Sequence, residues 1–403
     1  MNVWIDILHI PQFNFYKPLV KALSNQGHLV YMTVLNRGKL PQIVMRETEG
    51  WRDVFVDVVG KHRMTKWSAL WDANIVRAFQ LQNWVKGKKI DIGFSNGMLL
   101  AWVCKNKGIR NYSFDDDPQT FDRKGKERWN TECNYCVYED ETIKAPSHVL
   151  RCTKEWAYLN PRTFQPNEKV LEKYGVKPKE YMFLREVTVG TINYAGQESG
   201  AILGIKDMIP AGMKVLFSLE EKKRRDEYPE DWILLQEPIE DIHSLIYYSA
   251  GLVSSGDSMA REAALLGVPS YYLGIRYSMP ANAAASKVAS LQNQKTIGFE
   301  AWIKEYIESK PKTQDSQSSE DDSLLTSPYS DHEQAPGQTN DPSIVADALL
   351  NPLQKQTKNA KNGHADENVI KQRMKQQDEL RKHIDEEFID INAYMLALVE
   401  NNK

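Results

Sequence analysis

The segment 255–270 contains the residues best suited to bind a phosphorylated ligand. Residues 250–254 read as a short buried strand, so Gly256, Asp257 and Ser258 fall on the turn into an apolar-faced helix. Backbone N–H groups at such a turn lack partners within the helix, and the helix dipole favours an anion there. The turn is therefore a candidate diphosphate site that needs no lysine.

Glu262 follows this turn by about one helical turn, where its carboxylate can accept from both hydroxyls of a ribose beside the phosphate. Arg261 next to it either pairs with the phosphate or faces solvent. A structural interpretation is also open, in which Ser255 or Asp257 caps an ordinary helix and Glu262 closes a capping box. The motif thus predicts either a nucleotide site or a capped helix.

The spacing Ser255-Gly256-x5-Glu262-x4-Gly267-x-Pro269 resembles the nucleotide-sugar loop and helix of type-B glycosyltransferases. The resemblance is strongest to the N-acetylglucosaminyltransferase that builds the peptidoglycan lipid precursor, and it implies that Glu262 holds the ribose. UDP-N-acetylglucosamine 2-epimerases share a similar run, but their loop is one residue shorter.

The chain to about residue 300 is also similar to a narrower family, the domain of unknown function 354 family. Three further segments carry that resemblance: MNVWIDI at 1–7 with His9, Pro11 and Phe15; KEWAYL at 154–159 with Phe164 and Pro166; and Leu184-Arg185 with Tyr194 downstream. The family is regarded as glycosyltransferase-like. The resemblance therefore implies the fold firmly and the reaction more loosely.

His9 follows the first predicted strand, in the loop where many type-B glycosyltransferases place a residue beside the acceptor hydroxyl. A neutral imidazole at that position is a candidate general base. The alternative is a histidine that hydrogen-bonds the backbone in a tight turn at Pro11.

Asp115, Asp116 and Asp117 end another predicted strand, directly before Pro118. They are candidates for a general base, for binding a hydroxyl-rich or cationic acceptor, or for coordinating a metal. Consecutive side chains cannot all face one ligand, and a solvated turn is the alternative. We expect no metal, because type-B enzymes stabilise the leaving diphosphate with helix N–H groups and basic residues.

Arg185 ends the first predicted strand of the second half of the chain. At the cleft edge its guanidinium can pair bidentately with a phosphate. A structural ion pair is the alternative.

The composition excludes several classes of protein. A length of 403 residues with 41% hydrophobic residues is sufficient for two cores, and a net charge of −3 predicts no nucleic-acid partner. No apolar run approaches the roughly 20 residues that span a bilayer, and the chain starts with a strand pattern instead of a basic leader. With four cysteines, too few for a disulfide scaffold, the sequence predicts a cytoplasmic protein.

Two further patterns are less specific. Cys133 and Cys136 have the spacing of a zinc half-site or redox pair, but a second well-spaced ligand pair is missing, so we interpret them as incidental cysteines. Basic residues and tryptophans between Lys61 and Trp84 suit peripheral contact with a membrane carrying a lipid-linked acceptor. In the alternative interpretation these tryptophans, at helical spacing, belong to an ordinary core.

Alternating strands and helices predict two Rossmann-like domains facing across a cleft, an acceptor domain at 1–165 and a nucleotide-sugar domain at 176–300, with a helix near 197–208. The polar, low-complexity residues 309–365 read as a disordered insertion. Residues 366–403 read as one long amphipathic helix, which either returns across both domains or binds a coiled-coil partner.

We therefore predict an α/β protein with the type-B (GT-B) fold that transfers a sugar from a nucleotide-sugar donor, UDP-linked, to a polysaccharide or glycolipid acceptor. His9 or an aspartate of the 115–117 run deprotonates the acceptor, and no further cofactor is expected. Two alternatives are a nucleotide-sugar 2-epimerase and a non-catalytic nucleotide- or sugar-binding protein. The His-Arg-x-Glu-Asn stretch of the epimerases is replaced by Leu184-Arg185-Glu186-Val187, which counts against the first.

Overall fold

The computed structural model of the protein describes residues 1–61, 75–118, 120–129, 131–189, 196–277, 279–308 and 367–401. The predicted insertion at 309–365 lies outside these residues. So do Trp67 and Trp71 of the predicted membrane-contacting segment.

Seven parallel strands form the sheet of the first half, in the order β3-β2-β1-β4-β5-β6-β7. The strands are Asn2–Ile7 (β1), Leu29–Asn36 (β2), Val54–Lys61 (β3), Ile92–Ser95 (β4), Arg110–Asp115 (β5), Thr131–Cys136 (β6) and His148–Leu150 (β7). The helices between them are Ile10–Asn25 (α1), Leu40–Glu47 (α2), Arg77–Trp84 (α3), Met98–Lys107 (α4) and Thr120–Arg128 (α5). The strand order reverses between β1 and β4, so ligands are expected at the carboxyl ends of these two strands.

Six parallel strands form the second sheet, in the order β10-β9-β8-β11-β12-β13. They are Tyr181–Glu186 (β8), Lys214–Leu219 (β9), Ile233–Leu234 (β10), Gly251–Ser254 (β11), Ser270–Tyr272 (β12) and Leu291–Asn293 (β13). A short helix, Trp156–Leu159 (α6), precedes this sheet, and its own helices are Ile242–Tyr247 (α7), Asp257–Leu265 (α8), Pro280–Val288 (α9) and Phe299–Trp302 (α10). Here the order reverses between β8 and β11, which places the loop after β11 at the switch point.

The C-terminal helix is present, but it is divided into Glu367–Glu387 (α11) and Ile391–Glu400 (α12). The division occurs before Asp390, whose side chain accepts from the backbone N–H groups of Asn392 and Ala393 and starts a new helix. The prediction of a single unbroken helix is therefore wrong in this detail. The hydroxyl of Tyr247 in the second half donates to Asp378 of α11 at 2.7 Å, and the hydroxyl of Tyr394 in α12 donates to Asn134 in the first half at 2.9 Å. The pair thus packs on both halves.

The predicted helix near 197–208 is not formed as such. A 3-10 helix occupies only Leu203–Met208, because Gly196 and Gly200 adopt left-handed backbone conformations (φ 89° and 93°) that a right-handed helix does not allow. Within the described ranges no helix is long and apolar enough to cross a membrane. One continuous apolar cluster includes residues of both sheets and of α11 and α12.

Candidate functional site

The loop between β11 and α8 is fixed by its own buried serine. Ser255 is fully buried, its hydroxyl accepts from the backbone N–H of Val187 at 2.9 Å, and its carbonyl accepts from the side chain of Gln197 at 2.9 Å. Gly256 is the N-cap residue of α8 in an extended conformation (φ −107°). Ser255 therefore anchors the loop and does not cap the helix, so the predicted turn is present with a glycine at its N-cap.

Asp257 and Ser258 form the first turn of α8. The Asp257 carboxylate is 3% exposed and accepts from the backbone N–H of Ser258 at 3.0 Å. Its second oxygen faces Arg261 at 3.3 Å and Arg276 at 3.5 Å. The first turn of α8 thus already has a negative charge. An incoming diphosphate would have to compete with Asp257 for these two arginines.

Arg261 does not face solvent but connects the two halves. It is 3% exposed, and it donates to Asn282 at 2.8 Å and to Glu155 at 3.0 Å. Its guanidinium also lies 3.7 Å from the Asp116 carboxylate of the first half. Burial lowers the pKa of Arg261, but the carboxylates of Glu155, Asp257 and Asp116 outweigh it and the net shift is upward. The arginine is therefore charged and is balanced by acids from both halves.

Glu262 has partners at both carboxylate oxygens. Oε1 accepts from the hydroxyl of Tyr158 at 2.6 Å, and Oε2 lies 3.4 Å from Nε2 of His243. Burial raises the pKa of Glu262, but the charge of His243 and the hydrogen bonds from His243 and Tyr158 outweigh it and lower the pKa. The N–H group of the N-cap residue Gly256 donates to the hydroxyl of Ser254, so Glu262 does not close a capping box. A ribose bound at this carboxylate would have to replace Tyr158 or His243.

The three consecutive aspartates point to three different cations. Asp115 pairs with Lys126 at 2.8 Å, Asp116 pairs with Lys154 at 2.7 Å, and Asp117 lies 3.9 Å from Arg276. Their divergence agrees with the alternation of side chains along an extended chain. Within the described part of the chain, no group of three or more His, Cys, Asp or Glu side chains has the arrangement of a metal site.

Asp116 and His9 differ in their suitability as a base. Burial raises the pKa of Asp116, but Lys154 and Arg261 outweigh it and leave that pKa at about 2. Burial is also the largest influence on His9, followed by the charges of Lys154 and Arg37, and together they lower its pKa to about 4. Both groups are deprotonated at neutral pH, and the histidine is the stronger base of the two.

His9 lies at the start of α1, where its backbone carbonyl accepts from Gln12 and Phe13. Its Nδ1 atom is buried and has no hydrogen-bond partner. The imidazole therefore makes no hydrogen bond to the backbone through Nδ1. It lies after β1, and Asp116 lies after β5 on the same edge of the first sheet.

Arg185 forms the structural ion pair that was the alternative to phosphate binding. Its guanidinium donates to Ser218 at 2.7 Å and to Glu220 at 2.5 Å, and its side chain is 18% exposed. The same Glu220 accepts from the backbone N–H of Thr188. A phosphate at this arginine would therefore compete with Glu220.

Cys133 and Cys136 are buried free thiols. Burial, followed by a hydrogen bond with the thiol of Cys152, raises the pKa of Cys136. The thiol of Cys136 thus interacts with that of Cys152.

Sequence reasoning missed several site residues: Lys154, Glu155, Tyr158, His243 and Asn282. The first three lie in the segment 154–159, which contributed only to the family resemblance. A basic residue, an acid and a tyrosine within five positions indicate only weakly that the segment contacts both halves. The partners of Glu155 and Tyr158 on α8 are about one hundred residues away, and no local pattern indicates that pairing.

Comparison with known proteins supports the fold. The sequence matches no family model and no curated protein. The glycosyltransferase VinC, solved in complex with dTDP, aligns over 100% of both chains with a TM-score of 0.54 and 10% identity. A protein assigned as a UDP-N-acetylglucosamine 2-epimerase from Listeria monocytogenes covers 68% of this chain and 79% of its own, with a TM-score of 0.51 and 13% identity.

Another UDP-N-acetylglucosamine 2-epimerase covers 74% of this chain and 85% of its own, with a TM-score of 0.50 and 16% identity. At these identities the likeness concerns architecture alone. The parallel seven- and six-stranded sheets and the aligned structures together confirm the predicted fold. The chain has the GT-B fold, with two Rossmann-like halves and C-terminal helices that pack on both.

Proposed function

We propose that this protein is a metal-independent glycosyltransferase that transfers a sugar from a UDP-linked donor to a hydroxyl group of a glycan or glycolipid acceptor. The observation that carries the proposal is the contact between Arg261 of α8 and Asp116 at the end of β5. It sets the start of α8 opposite the edge of the first sheet that includes His9. In this proposal the donor binds at α8 and the acceptor base lies on the facing edge of the first sheet.

On the donor side, the backbone N–H groups at Gly256, Asp257 and Ser258 are the diphosphate ligands in this proposal, since the dipole of α8 favours an anion at its start. Glu262 accepts from the ribose hydroxyls after Tyr158 has moved. The complex of VinC with dTDP supports a nucleotide in a protein of this fold. Arg185 and Arg261 supply positive charge beside the leaving group.

On the acceptor side, His9 takes the proton of the attacking hydroxyl. The oxygen then bonds to the anomeric carbon of the donor sugar, and the bond to the nucleoside diphosphate breaks. Asp115 and Asp116 hold Lys126 and Lys154 in place and are the weaker candidates for the base. Ile75 and Phe79 are exposed at the start of α3, which supports a glycolipid acceptor at a membrane surface. Membership of the domain of unknown function 354 family is part of the proposal, and what supports it is the resemblance of residues 1–7 and 154–159 to that family.

The test uses the purified full chain with a panel of nucleotide sugars. A bound donor at 100 times its Kd should stabilise the fold by about 2.7 kcal/mol. Addition of a glycan or glycolipid acceptor should then release UDP, and EDTA should leave that release intact. Formation of an epimer without an acceptor would instead identify a 2-epimerase, and stabilisation without turnover would identify a binding protein.

A further inference from the structure

Asn96 follows β4 directly, and β4 is the neighbour of β1 at the switch point of the first sheet. Its side chain is 7% exposed. The side-chain N–H group donates to the backbone carbonyl of Phe114, while Oδ1 is buried and has no hydrogen-bond partner. A buried polar atom without a partner costs free energy, so it requires an explanation.

The orientation of the Asn96 amide is fixed by its neighbour. The carbonyl of Phe114 only accepts, so the NH₂ group of Asn96 must face it. The free atom is therefore an acceptor, and its partner must be a donor. A phosphate or carboxylate ligand does not meet this requirement, whereas a hydroxyl group does.

The loop that contains Asn96 touches the loop that contains His9. A Cβ atom placed on Gly97 would lie 3.3 Å from the side chain of Leu8, which directly precedes His9. Nδ1 of His9 is the second buried ring or amide atom without a partner at this edge. Two adjacent loops thus each contain a buried polar atom without a partner. One atom belongs to His9, the proposed acceptor base, and the other to Asn96.

We propose that Asn96 binds a hydroxyl group of the acceptor sugar next to the hydroxyl that His9 deprotonates, so that the acceptor is a sugar with at least two free hydroxyl groups. This inference rests on the proposed function and adds the acceptor class to it. The second hydroxyl donates to Oδ1 of Asn96 and accepts from the N–H groups at the start of α4, where Gly97 has no side chain to cap the helix. Asn96 thereby selects the position of attack.

The test is saturation-transfer NMR with a panel of methyl glycosides and with UDP, which reports binding without turnover. At least one methyl glycoside should receive saturation from the wild-type protein. Asn96→Ala should weaken that binding about three- to tenfold, the loss of one hydrogen bond, and should leave the UDP signal unchanged. Asn83→Ala, an exposed asparagine of α3 in the same half, is the matched control.

The outcomes separate the two proposals. If UDP binds and Asn96→Ala binds the glycosides as well as the wild type, or if no glycoside binds at all, the assignment of Asn96 is overturned and water is its partner. A missing UDP signal with a glycoside signal that depends on Asn96 would overturn the donor assignment alone. Monodeoxy analogues of the bound glycoside identify the hydroxyl, since the analogue lacking it should bind the wild type and Asn96→Ala equally.

Discussion

At the scale of single residues, the proposed binding of a ribose by Glu262 can be tested directly. Its carboxylate is ionised because His243 and Tyr158 overcome the effect of burial on its pKa. Loss of a charged hydrogen bond to the ribose should cost about 1.5–3 kcal/mol in Glu262→Ala. Calorimetry with UDP measures this loss, and Glu300→Ala, an exposed carboxylate of α10, is the control. Wild-type affinity in Glu262→Ala would contradict the ribose assignment.

Removal of the Tyr158 hydroxyl should strengthen nucleotide binding, whereas removal of the Glu262 carboxylate should weaken it. Because its hydroxyl occupies Oε1 of Glu262, the nucleotide must displace it. Tyr158→Phe should therefore bind UDP more tightly, by up to about tenfold for 1.4 kcal/mol of contact removed, while its melting temperature falls. Calorimetry and thermal unfolding measure the two effects, with Tyr174→Phe as a control. Weaker binding would mean that the Tyr158 hydroxyl contacts the nucleotide itself.

His9 predicts an unusual pH dependence. Burial, Lys154 and Arg37 lower its pKa from 6.5 to about 4, so the neutral base should persist well below pH 6.5. We expect the rate to fall only as the pH falls through about 4, and His9→Ala to lower kcat by about 10²–10⁴-fold. The pH profile of kcat/KM is the measurement, with His148→Ala, an exposed histidine, as the control. Full activity of His9→Ala with an inactive Asp116→Asn would move the role of base to Asp116.

The same pKa shift affects stability. The folded pKa of His9 lies below the unfolded one, so the unfolded chain binds more protons between these values. The contribution of His9 to stability is therefore present above about pH 6.5 and is lost as the pH falls through about 4. Between about pH 6.5 and pH 4, His9→Ala should lose less free energy of unfolding than the wild type, as measured by urea unfolding at each pH.

At the scale of elements, local sequence signals predicted the helix of the site but not the contacts that its residues make. The apolar-faced helix predicted within segment 255–270 is Asp257–Leu265, because Gly256 and Gly267 bound it at both ends. The three-residue strands β7 and β13 carry too little periodicity to be recognised. Contacts such as Tyr158 with Glu262, 104 residues apart, depend on how the halves pack and leave no local pattern.

Docking of α11 on the second half should depend on Gly267. Its φ is +74°, and a Cβ atom there would lie 2.8 Å from the backbone oxygen of Gln377 in α11. Gly108 is the matched control, because its φ is +66° but nothing lies within 4 Å of an added Cβ. Gly108→Ala should cost about 1–2 kcal/mol of backbone strain, and Gly267→Ala about 1–3 kcal/mol more from overpacking. Equal losses in urea unfolding would contradict this docking.

At the scale of the whole molecule, the contacts that join the halves include two sets of different kinds. One is the charged contact of Arg261 with Glu155 and Asp116, which lies at the proposed site. The other is the helix pair α11 and α12, which packs on both halves and contacts residues 156–159 beside Tyr158. The first set contains the groups that a nucleotide would contact, whereas the second does not. Variants of the two sets therefore test different roles.

Removal of residues 367–403 tests the second set of contacts. The helix pair buries five apolar side chains against both halves: Leu380, Ile384, Ile391, Met395 and Val399. Without them the facing surfaces of both halves are exposed, so the truncated chain should aggregate or melt at lower temperature than the full chain. Lys382→Ala, which changes only an exposed position of α11, should behave as the wild type. A truncated chain that does not aggregate and melts as the full chain does would show that the halves cohere without the helix pair.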